Sequence, residues 1–223
     1  PYVRCKLAAS LDGKTAMASG ESQWITAKEA RKDVQRLRAQ SCVVLSGADS
    51  LLTDNARMTV RWNELNEHLF VQDKSELRQP VRVVIDSRNR LTPDLTFFSQ
   101  DSSIILIRHT IENSHRWPHF VEQVCLPLAE NSSHIDLTEL LKFLAKRGLN
   151  DVLLESGHTL AGAFIEQNLV DELILYQAPK LMGAEGKSLL AMPSMTQLKQ
   201  AKEMTIKEVA MVGRDIRIVA KFK

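Results

Sequence analysis

The chain has 223 residues, of which 44% are hydrophobic and 25% charged, the composition of a soluble globular protein that can bury a core without disulfides. Its 29 Lys and Arg residues nearly balance 27 Asp and Glu residues, and aromatic residues make up only 5%. This excludes a protein that mainly covers nucleic-acid phosphates or stacks bases. No apolar run approaches the roughly 20 residues of a membrane-spanning helix, and no signal peptide is visible. We expect a cytoplasmic protein with no nucleic-acid or membrane partner.

The cysteines are odd in number and include no CxxC pair, which indicates a reducing compartment rather than a disulfide framework. Each cysteine stands among apolar residues of a strand-like run. We therefore predict three buried side chains that act as small hydrophobes. They are Cys5, Cys42 and Cys125.

Two histidines, His115 and His119, are four residues apart, a spacing that can place two metal ligands on one helical face. Pro118 interrupts this stretch, so a shared helical face is disfavoured. No Cys or acidic cluster completes a ligand set. The sequence predicts two exposed loop histidines and no metal site.

The first half of the chain alternates strand-like and helix-like segments. YVRCKLAAS predicts a strand, and Asp12-Gly13 predicts a turn after it. Thr26 and Glu29 have the spacing of a capping box, and apolar residues recur behind them at helical intervals, which predicts a helix from Ala27 to Gln40. Other short apolar runs are typical of strands buried on both faces. They are CVVLSG, VRVVIDS and SIILIRH, with VEQVCLPL as a weaker candidate.

The second half continues this alternation and ends in a hairpin pattern. TELLKFLAKRG, with Gly148 at its C-terminal cap, and TLAGAFIEQN predict helices. DVLLESG and DELILYQAPKLM predict strands. The runs EMTIKEVAMVG and DIRIVAKFK alternate and are joined through Gly213-Arg214-Asp215, as in an antiparallel hairpin.

This order of elements predicts an α/β fold with a mixed, mostly parallel sheet flanked by helices and an antiparallel C-terminal hairpin. No internal repeat, low-complexity tract or linker rich in Gly, Ser or Pro interrupts the chain. We therefore expect a single domain over residues 1–223. The missing initiator Met suggests a processed chain or an excised domain.

Candidate chemistry is concentrated where DVLLESG runs into a helix that begins near Thr159. Helix N-termini carry about half a positive charge, and Gly157, without a Cβ, lets a ligand phosphate approach the backbone. Gly162 allows either tight packing or contact with a pyrophosphate. Glu155, at the carboxyl end of a buried strand, needs a partner to offset its desolvation. The alternative is a plain strand–turn–helix, since the G-x-G-x-x-G fingerprint is absent.

A second set of candidates lies toward the N-terminus. Residues 22–24 (Ser-Gln-Trp) form the approach to the first helix, where an anionic group or a planar ring can dock. Arg38 and Arg61 can form a phosphate fork, although arginines on a surface helix are often simply solvated. Lys6 either faces water or projects into a cleft. Asp54 is either a turn former or a ligand contact.

Together these segments resemble one protein family, the reductase domain of the bifunctional riboflavin-biosynthesis deaminase/reductase. The resemblance is carried, in the family's order, by YVRCKLAASLDGKTA, GESQWIT, TVRW, VIDSRNR and LLESGHTLAGAFIEQNLVDELILYQAPKLMG. It implies a dihydrofolate-reductase-like fold, NADPH as hydride donor and a pyrimidine ribosyl-phosphate substrate. The implied reaction converts 5-amino-6-(5-phosphoribosylamino)uracil to the ribitylamino compound. The deaminase motifs H-x-E and P-C-x-x-C are absent, so we expect the C-terminal half of a longer protein.

The resemblance also implies roles for individual residues. It assigns substrate contacts to Ser22, Arg38, Met58, Arg61 and Glu155, with Lys6 as a further candidate. It assigns NADPH contacts to Ala8, Trp24, Ser50, Asp54, Ser87, Gly157, His158, Thr159, Leu160, Ala161, Gly162 and Ala163. Glu155 and Lys6 are the catalytic candidates, and either can assist proton movement during opening of the sugar ring. Ser87 and Arg88 are candidates for binding the NADPH 2′-phosphate.

Two departures from the family pattern stand out. Relatives have D-D-P-x-L where this chain has residues 54–58 (Asp-Asn-Ala-Arg-Met), which predicts a less rigid loop. Relatives carry Pro at His158, which we interpret as a tolerated substitution. The family tends to form dimers, so we expect a homodimer. A dihydrofolate-type reductase and a non-catalytic nucleotide-binding module of the same fold remain alternatives.

Overall fold

The computed structural model of the chain describes residues 1–65, 74–112 and 114–223. The helices and strands follow in chain order: β1 (Tyr2–Ser10), β2 (Lys14–Ala16), α1 (Lys28–Gln40), β3 (Val43–Gly47), α2 (Ala48–Asp54), β4 (Val81–Ile85), β5 (Ile104–Arg108), β6 (Val121–Cys125), α3 (Leu137–Lys146), β7 (Asp151–Leu154), α4 (His158–Glu166), β8 (Glu172–Ala178), β9 (Lys187–Ser188), β10 (Met204–Val212) and β11 (Asp215–Phe222). Every helix and strand predicted from the sequence is present. Three short elements, β2, α2 and β9, were not predicted.

The chain divides into two compact units. Unit 1 comprises residues 1–2 and 35–157, and unit 2 comprises residues 3–34 and 158–223. Both units are therefore built from discontinuous segments. The single domain expected from the sequence stays a prediction.

Unit 1 contains five parallel strands in the order β7-β3-β4-β5-β6. Residues of β3, β4, β5 and β7 are almost all buried, which confirms that the short apolar runs are strands covered on both faces. In β6 the side chains are half-buried or exposed. The weak strand signal of VEQVCLPL therefore has a physical reason, because an edge strand has less need of apolar residues.

Helix α3 shows how local sequence sets the bounds of an element in unit 1. The Asp136 carboxylate accepts hydrogen bonds from the N–H groups of Thr138 (2.8 Å) and Glu139 (3.1 Å) at the start of the helix. At its end, Gly148 has φ +73° and its N–H donates to the carbonyl of Ala145 at 2.9 Å. The predicted glycine cap is confirmed, in the left-handed conformation that favours glycine.

Unit 2 supplies the antiparallel part of the fold. Strands β1 and β8 are parallel, β8 pairs antiparallel with β11, and β11 pairs antiparallel with β10. The turn between β10 and β11 is closed by the pair Val212↔Asp215, and Gly213 within it has φ +62°. Strands β2 and β9 form a separate antiparallel pair. The predicted mixed, mostly parallel arrangement with a C-terminal hairpin is confirmed.

The cysteine prediction was right for one residue only. Cys5 is fully buried, and burial raises the pKa of its thiol to about 12. Cys42 is half-buried and Cys125 is exposed, with its Sγ donating to the carbonyl of His109 at 2.6 Å. The prediction for Cys125 was wrong because apolar neighbours do not bury the alternate residues of an edge strand.

The predicted exposure of the two neighbouring histidines is confirmed. His115 and His119 are both exposed. Within residues 1–65, 74–112 and 114–223, no three His, Cys, Asp or Glu side chains lie close enough together to hold a metal ion. None of the helices in these residues is long and apolar enough to cross a bilayer.

Candidate functional site

Polar groups of unit 1 collect where its parallel strands end. Strand β3 leads into α2, which carries Ser50; β4 leads into Ser87; and β7 leads into Gly157. Since β7, β3 and β4 are adjacent and parallel, their carboxyl ends lie at one edge, where open α/β sheets bind ligands. The Gly157 N–H donates to Ser50 Oγ at 3.0 Å. Three residues predicted to bind the cofactor thus share one edge of the sheet.

Glu155, which follows β7, is paired with Arg38 of α1. Arg38 Nε lies 2.6 Å from Glu155 Oε1, and Arg38 Nη2 lies 2.9 Å from Oε2, so the contact is bidentate. Arg38 Nη1 donates to the carbonyl of Thr59 at 3.1 Å. The exposed fractions of the Arg38 and Glu155 side chains are only 11% and 8%. Arg38 is the partner that the buried Glu155 carboxylate was predicted to need.

The ion pair stabilises the charged form of Arg38. Burial alone would lower the pKa of its guanidinium, but the charge and hydrogen bonds of Glu155 raise that pKa above its ordinary value. Arg38 is therefore a permanent cation. Two residues predicted to contact the substrate are in direct contact with each other.

Arg61 has very different surroundings from Arg38. Its side chain is 53% exposed, and its Nη1 lies 2.5 Å from Glu64 Oε1. Its backbone N–H donates to Gln35 Oε1 at 3.0 Å, and Gln35 Nε2 donates to Glu64 Oε2 at 3.3 Å. Gln35 and Glu64 were missed in the sequence analysis. The phosphate fork of Arg38 and Arg61 stays a prediction. All three side-chain nitrogens of Arg38 already donate hydrogen bonds within the protein.

The loop that departs from the family pattern is bound to its surroundings. Asp54 is exposed at the last residue of α2. Asn55 has φ +45°, and its Oδ1 accepts the N–H of Thr96 at 3.0 Å and the Thr96 hydroxyl at 2.7 Å. Met58 has φ +55° and is buried. Two hydrogen bonds that Thr96 donates to one amide oxygen therefore fix this loop.

In unit 2, Lys6 and Ala8 occupy one face of β1. Cys5 and Leu7, which alternate with them along the strand, are buried, whereas Lys6 and Ala8 are half-buried. Lys6 Nζ lies 5.8 Å from the centroid of the Tyr176 ring, within range of a cation–π contact. Lys6 is therefore not simply exposed to water, which was one of the two alternatives for it.

The segment before α1 also belongs to unit 2. Trp24 is 63% exposed, and the Arg31 guanidinium lies 4.6 Å from its ring centroid. The carbonyl of Trp24 accepts a hydrogen bond from Lys180 Nζ at 2.8 Å. Ser22 is half-buried nearby in sequence. The indole ring is thus held in place while most of its surface faces solvent.

Helix α4 begins at His158, directly after Gly157 in the chain. A Cβ added at Gly162 would lie 2.3 Å from the carbonyl oxygen of Ala191, and the Ala191 N–H donates to the His158 carbonyl at 3.1 Å. Of the two alternatives for Gly162, tight packing is the one observed. Ala161 is also buried, Thr159 is exposed, and the other predicted cofactor residues of this helix, Leu160 and Ala163, are half-buried.

Comparison with known sequences identifies the family. Residues 1–218 match the model of the RibD C-terminal domain. The chain belongs to the RibD C-terminal domain family. It is 46% identical over 217 residues to the riboflavin biosynthesis protein RibD of Escherichia coli, matching 97% of this chain and 58% of that protein. The chain thus spans little more than half the length of such RibD relatives.

A shorter relative is covered almost completely. The 5-amino-6-(5-phosphoribosylamino)uracil reductase of Buchnera aphidicola (subspecies Acyrthosiphon pisum) is 36% identical over 204 residues, which are 91% of this chain and 97% of that protein. The resemblance to the reductase domain that the sequence motifs indicated is confirmed.

Solved structures extend the comparison to the fold. RibD of Acinetobacter baumannii matches with a TM-score of 0.84 and 33% identity, over 100% of this chain and 58% of that one. Dihydrofolate reductase of Enterococcus faecalis matches with a TM-score of 0.53 and 10% identity, over 100% and 96% of the two chains. The second likeness concerns the fold alone, and it confirms the predicted dihydrofolate-reductase-like architecture of this RibD C-terminal domain.

Proposed function

We propose that this chain reduces 5-amino-6-(5-phosphoribosylamino)uracil to 5-amino-6-(5-phosphoribitylamino)uracil in riboflavin biosynthesis. The observation that carries the proposal is the near-complete coverage of the Buchnera reductase, whose name describes this reaction. That relative has no room for a second domain of the size that RibD carries beside the matched part. Reduction is therefore the activity that fits the part of RibD to which this chain corresponds.

We propose NADPH as the hydride donor. The polar groups at the carboxyl edge of unit 1 have the chemistry that a dinucleotide phosphate needs: the hydroxyls of Ser50 and Ser87, the exposed backbone at Gly157, and the exposed guanidinium of Arg88. A Cβ at Gly157 would meet only Ser50 Oγ, at 3.5 Å. No contact within the described protein therefore requires glycine at this position, which is consistent with a ligand being the reason for it. When bound, NADPH supplies a hydride to the sugar C1′.

Arg38 and Glu155 are proposed to act as a unit toward the substrate. The bidentate contact holds both carboxylate oxygens of Glu155 in fixed positions at the end of β7. An ionised carboxylate in this arrangement accepts hydrogen bonds, so it suits binding of a sugar hydroxyl or removal of a proton during ring opening. Arg61, with half of its side chain exposed, suits the substrate phosphate. Lys6 remains the second catalytic candidate.

The wider assignments are also proposals. We propose that the chain acts as a homodimer in the cytoplasm and that the full-length protein carries a deaminase domain. The unmatched part of the RibD relatives supports the last point. The free state of all three cysteines in the structure is consistent with a reducing compartment.

A direct assay tests the function. The purified chain is mixed with NADPH and 5-amino-6-(5-phosphoribosylamino)uracil, and NADPH oxidation and a product heavier by two hydrogens are followed together. Dihydrofolate and the aminated pyrimidine precursor are the matched control substrates. Oxidation with dihydrofolate instead would identify a dihydrofolate-type reductase. NADPH binding without oxidation of any of them would identify a non-catalytic module.

A further inference from the structure

The loop after β4 is organised by one buried carboxylate. Asp86 is only 1% exposed, its Oδ1 accepts the N–H of Arg90 at 3.0 Å, and its Oδ2 accepts the N–H of Leu91 at 2.9 Å. The carbonyl of Asp86 also accepts the N–H of Asn89 at 3.3 Å, and Asn89 has φ +54°. A single side chain therefore holds the start and the end of the loop together.

The charge of Asp86 is balanced inside unit 1. Arg108 Nη2 lies 3.6 Å from Asp86 Oδ2, and both side chains are almost completely buried. Arg108 Nη1 donates to Gln123 Oε1 at 2.9 Å, and its guanidinium lies 5.1 Å from the Trp117 ring centroid. Because Arg108 neutralises the carboxylate, Asp86 can organise the loop without presenting a negative charge to an anionic ligand.

Two further contacts fix the remaining part of the loop. Asn89 Nδ2 donates to the carbonyl of Thr110 at 3.1 Å, and Arg90 Nη2 lies 2.7 Å from Asp49 Oδ1. The two residues between these anchors, Ser87 and Arg88, are half-buried and exposed, respectively. In the part of the chain that the structure describes, neither side chain takes part in a hydrogen bond or ion pair with the protein. Within the described residues, the loop is thus held at every residue except Ser87 and Arg88.

We propose that Asp86 is a positioning residue that sets the preference for NADPH over NADH by holding Ser87 and Arg88 ready for the 2′-phosphate. The proposal rests on the proposed function and adds to it a determinant of coenzyme choice that does not touch the coenzyme. A preordered loop binds its ligand more tightly than a mobile one, because less conformational entropy is lost on binding. Asn at position 86 cannot accept both N–H groups, since its amide nitrogen is a donor.

The test measures the binding of two small probes that differ only in the 2′-phosphate. Dissociation constants for adenosine 2′,5′-bisphosphate (2′,5′-ADP) and 5′-AMP are determined by calorimetry for the wild-type chain, for Asp86→Asn, and for the double variant Asp86→Asn/Arg108→Gln. The double variant removes the buried pair as a whole, so it is expected to fold even if the single variant does not. We expect the preference for 2′,5′-ADP to fall about tenfold in either variant, with 5′-AMP binding changed by less than about twofold.

A core variant separates positioning from general destabilisation. Leu106→Ala removes a fully buried side chain of β5 and is expected to lower the unfolding midpoint while keeping the wild-type preference for 2′,5′-ADP. A folded double variant with the wild-type preference would overturn the inference and leave the proposed reductase activity intact. A wild-type chain that binds both probes equally would also overturn it, and would remove NADPH selectivity from the proposed function.

Discussion

Each unit contains an arginine that is largely shielded from solvent and paired with a carboxylate, but the two arrangements are built differently. In unit 1, Arg38 and Glu155 share two hydrogen bonds, and Arg38 also donates to the uncharged carbonyl of Thr59. In unit 2, Arg217 lies between Asp33 and Glu208, with N–O distances of 2.7 and 2.5 Å. Burial would lower the pKa of Arg217, but its hydrogen bonds to both carboxylates raise it.

The difference concerns what happens when one partner is lost. Asp33 Oδ2 also accepts the Tyr176 hydroxyl at 2.6 Å, so Arg217 keeps Glu208 if Asp33 is removed, and Asp33 keeps Tyr176 if Arg217 is removed. In unit 1, loss of Glu155 would leave the Arg38 guanidinium with the uncharged carbonyl of Thr59. Breaking a buried pair leaves a poorly compensated charge, whereas breaking one link of a network leaves its other links in place.

The largest expected effect is therefore at Glu155. Glu155→Gln should lower the free energy of unfolding by about 3–5 kcal/mol, because Arg38 stays buried without its counter-charge. Urea denaturation measures the change. The matched control, Arg38→Met/Glu155→Leu, removes both charges and should recover most of the loss. A double variant as unstable as the single one would show that the pair, rather than the orphaned charge, carries the stability.

The next contrast concerns one glycine from each unit. Gly162→Ala should lower the free energy of unfolding by about 1–3 kcal/mol, since its Cβ cannot coexist with the Ala191 carbonyl without a backbone shift. Gly157→Ala meets only Ser50 Oγ, so its unfolding free energy should change by less than about 0.5 kcal/mol. We expect Gly157→Ala to weaken NADPH binding instead, as measured by protein fluorescence. Unchanged NADPH affinity in Gly157→Ala would remove the phosphate role of this glycine.

A smaller effect is expected where the unit 2 network is broken. Asp33→Asn should lower the free energy of unfolding by about 1–2 kcal/mol, because Arg217 keeps Glu208 and the new amide oxygen still accepts one hydrogen bond. The measurement is the same urea denaturation used for Glu155→Gln. If Asp33→Asn proved as destabilising as Glu155→Gln, the distinction between the Arg38–Glu155 pair and the Arg217 network would be wrong.

The smallest effect is a dependence on acid pH. The Asp12 carboxylate accepts the Ser10 hydroxyl and the N–H groups of Met182 and Gly183, which lower its pKa from 3.8 to about 2. A depressed folded-state pKa means that the stabilisation is present above pH 3.8 and is lost as the pH falls toward about 2. Asp12→Asn should therefore lose less stability than the wild type over this interval in thermal melts. Parallel pH profiles of the two proteins would contradict the assignment.

Much of the fold could be predicted because local sequence determines it. The runs of β3, β4, β5 and β7 are apolar except for Ser46, Arg82, Arg108 and Asp151, so burial on both faces is the natural interpretation. The caps of α3 and the turn at Gly213 are each determined by a few adjacent residues. Helix α2 was missed because its seven residues are too few to show a period.

The contacts of the candidate site were harder to foresee because they join distant parts of the chain. Arg38 follows Val34 by four residues and Ala30 by eight, which places it on the buried stripe of α1, and this signal could have identified it as the partner of Glu155. The contact of Asp12 with Met182 spans 170 residues and depends on the parallel pairing of β1 and β8. No local pattern specifies such a contact.

Arg82 has a consequence for the connection between β4 and β5. Parallel neighbours are usually joined by a helix, which satisfies its own backbone, but this crossover contains only a short 3₁₀ turn at Thr96–Phe98. The buried Arg82 guanidinium donates instead to the carbonyls of Arg57, Phe97 and Gln100, and burial lowers its pKa to about 10. One cationic side chain thus supplies donors to two carbonyls of an irregular crossover and ties it to the carbonyl of Arg57.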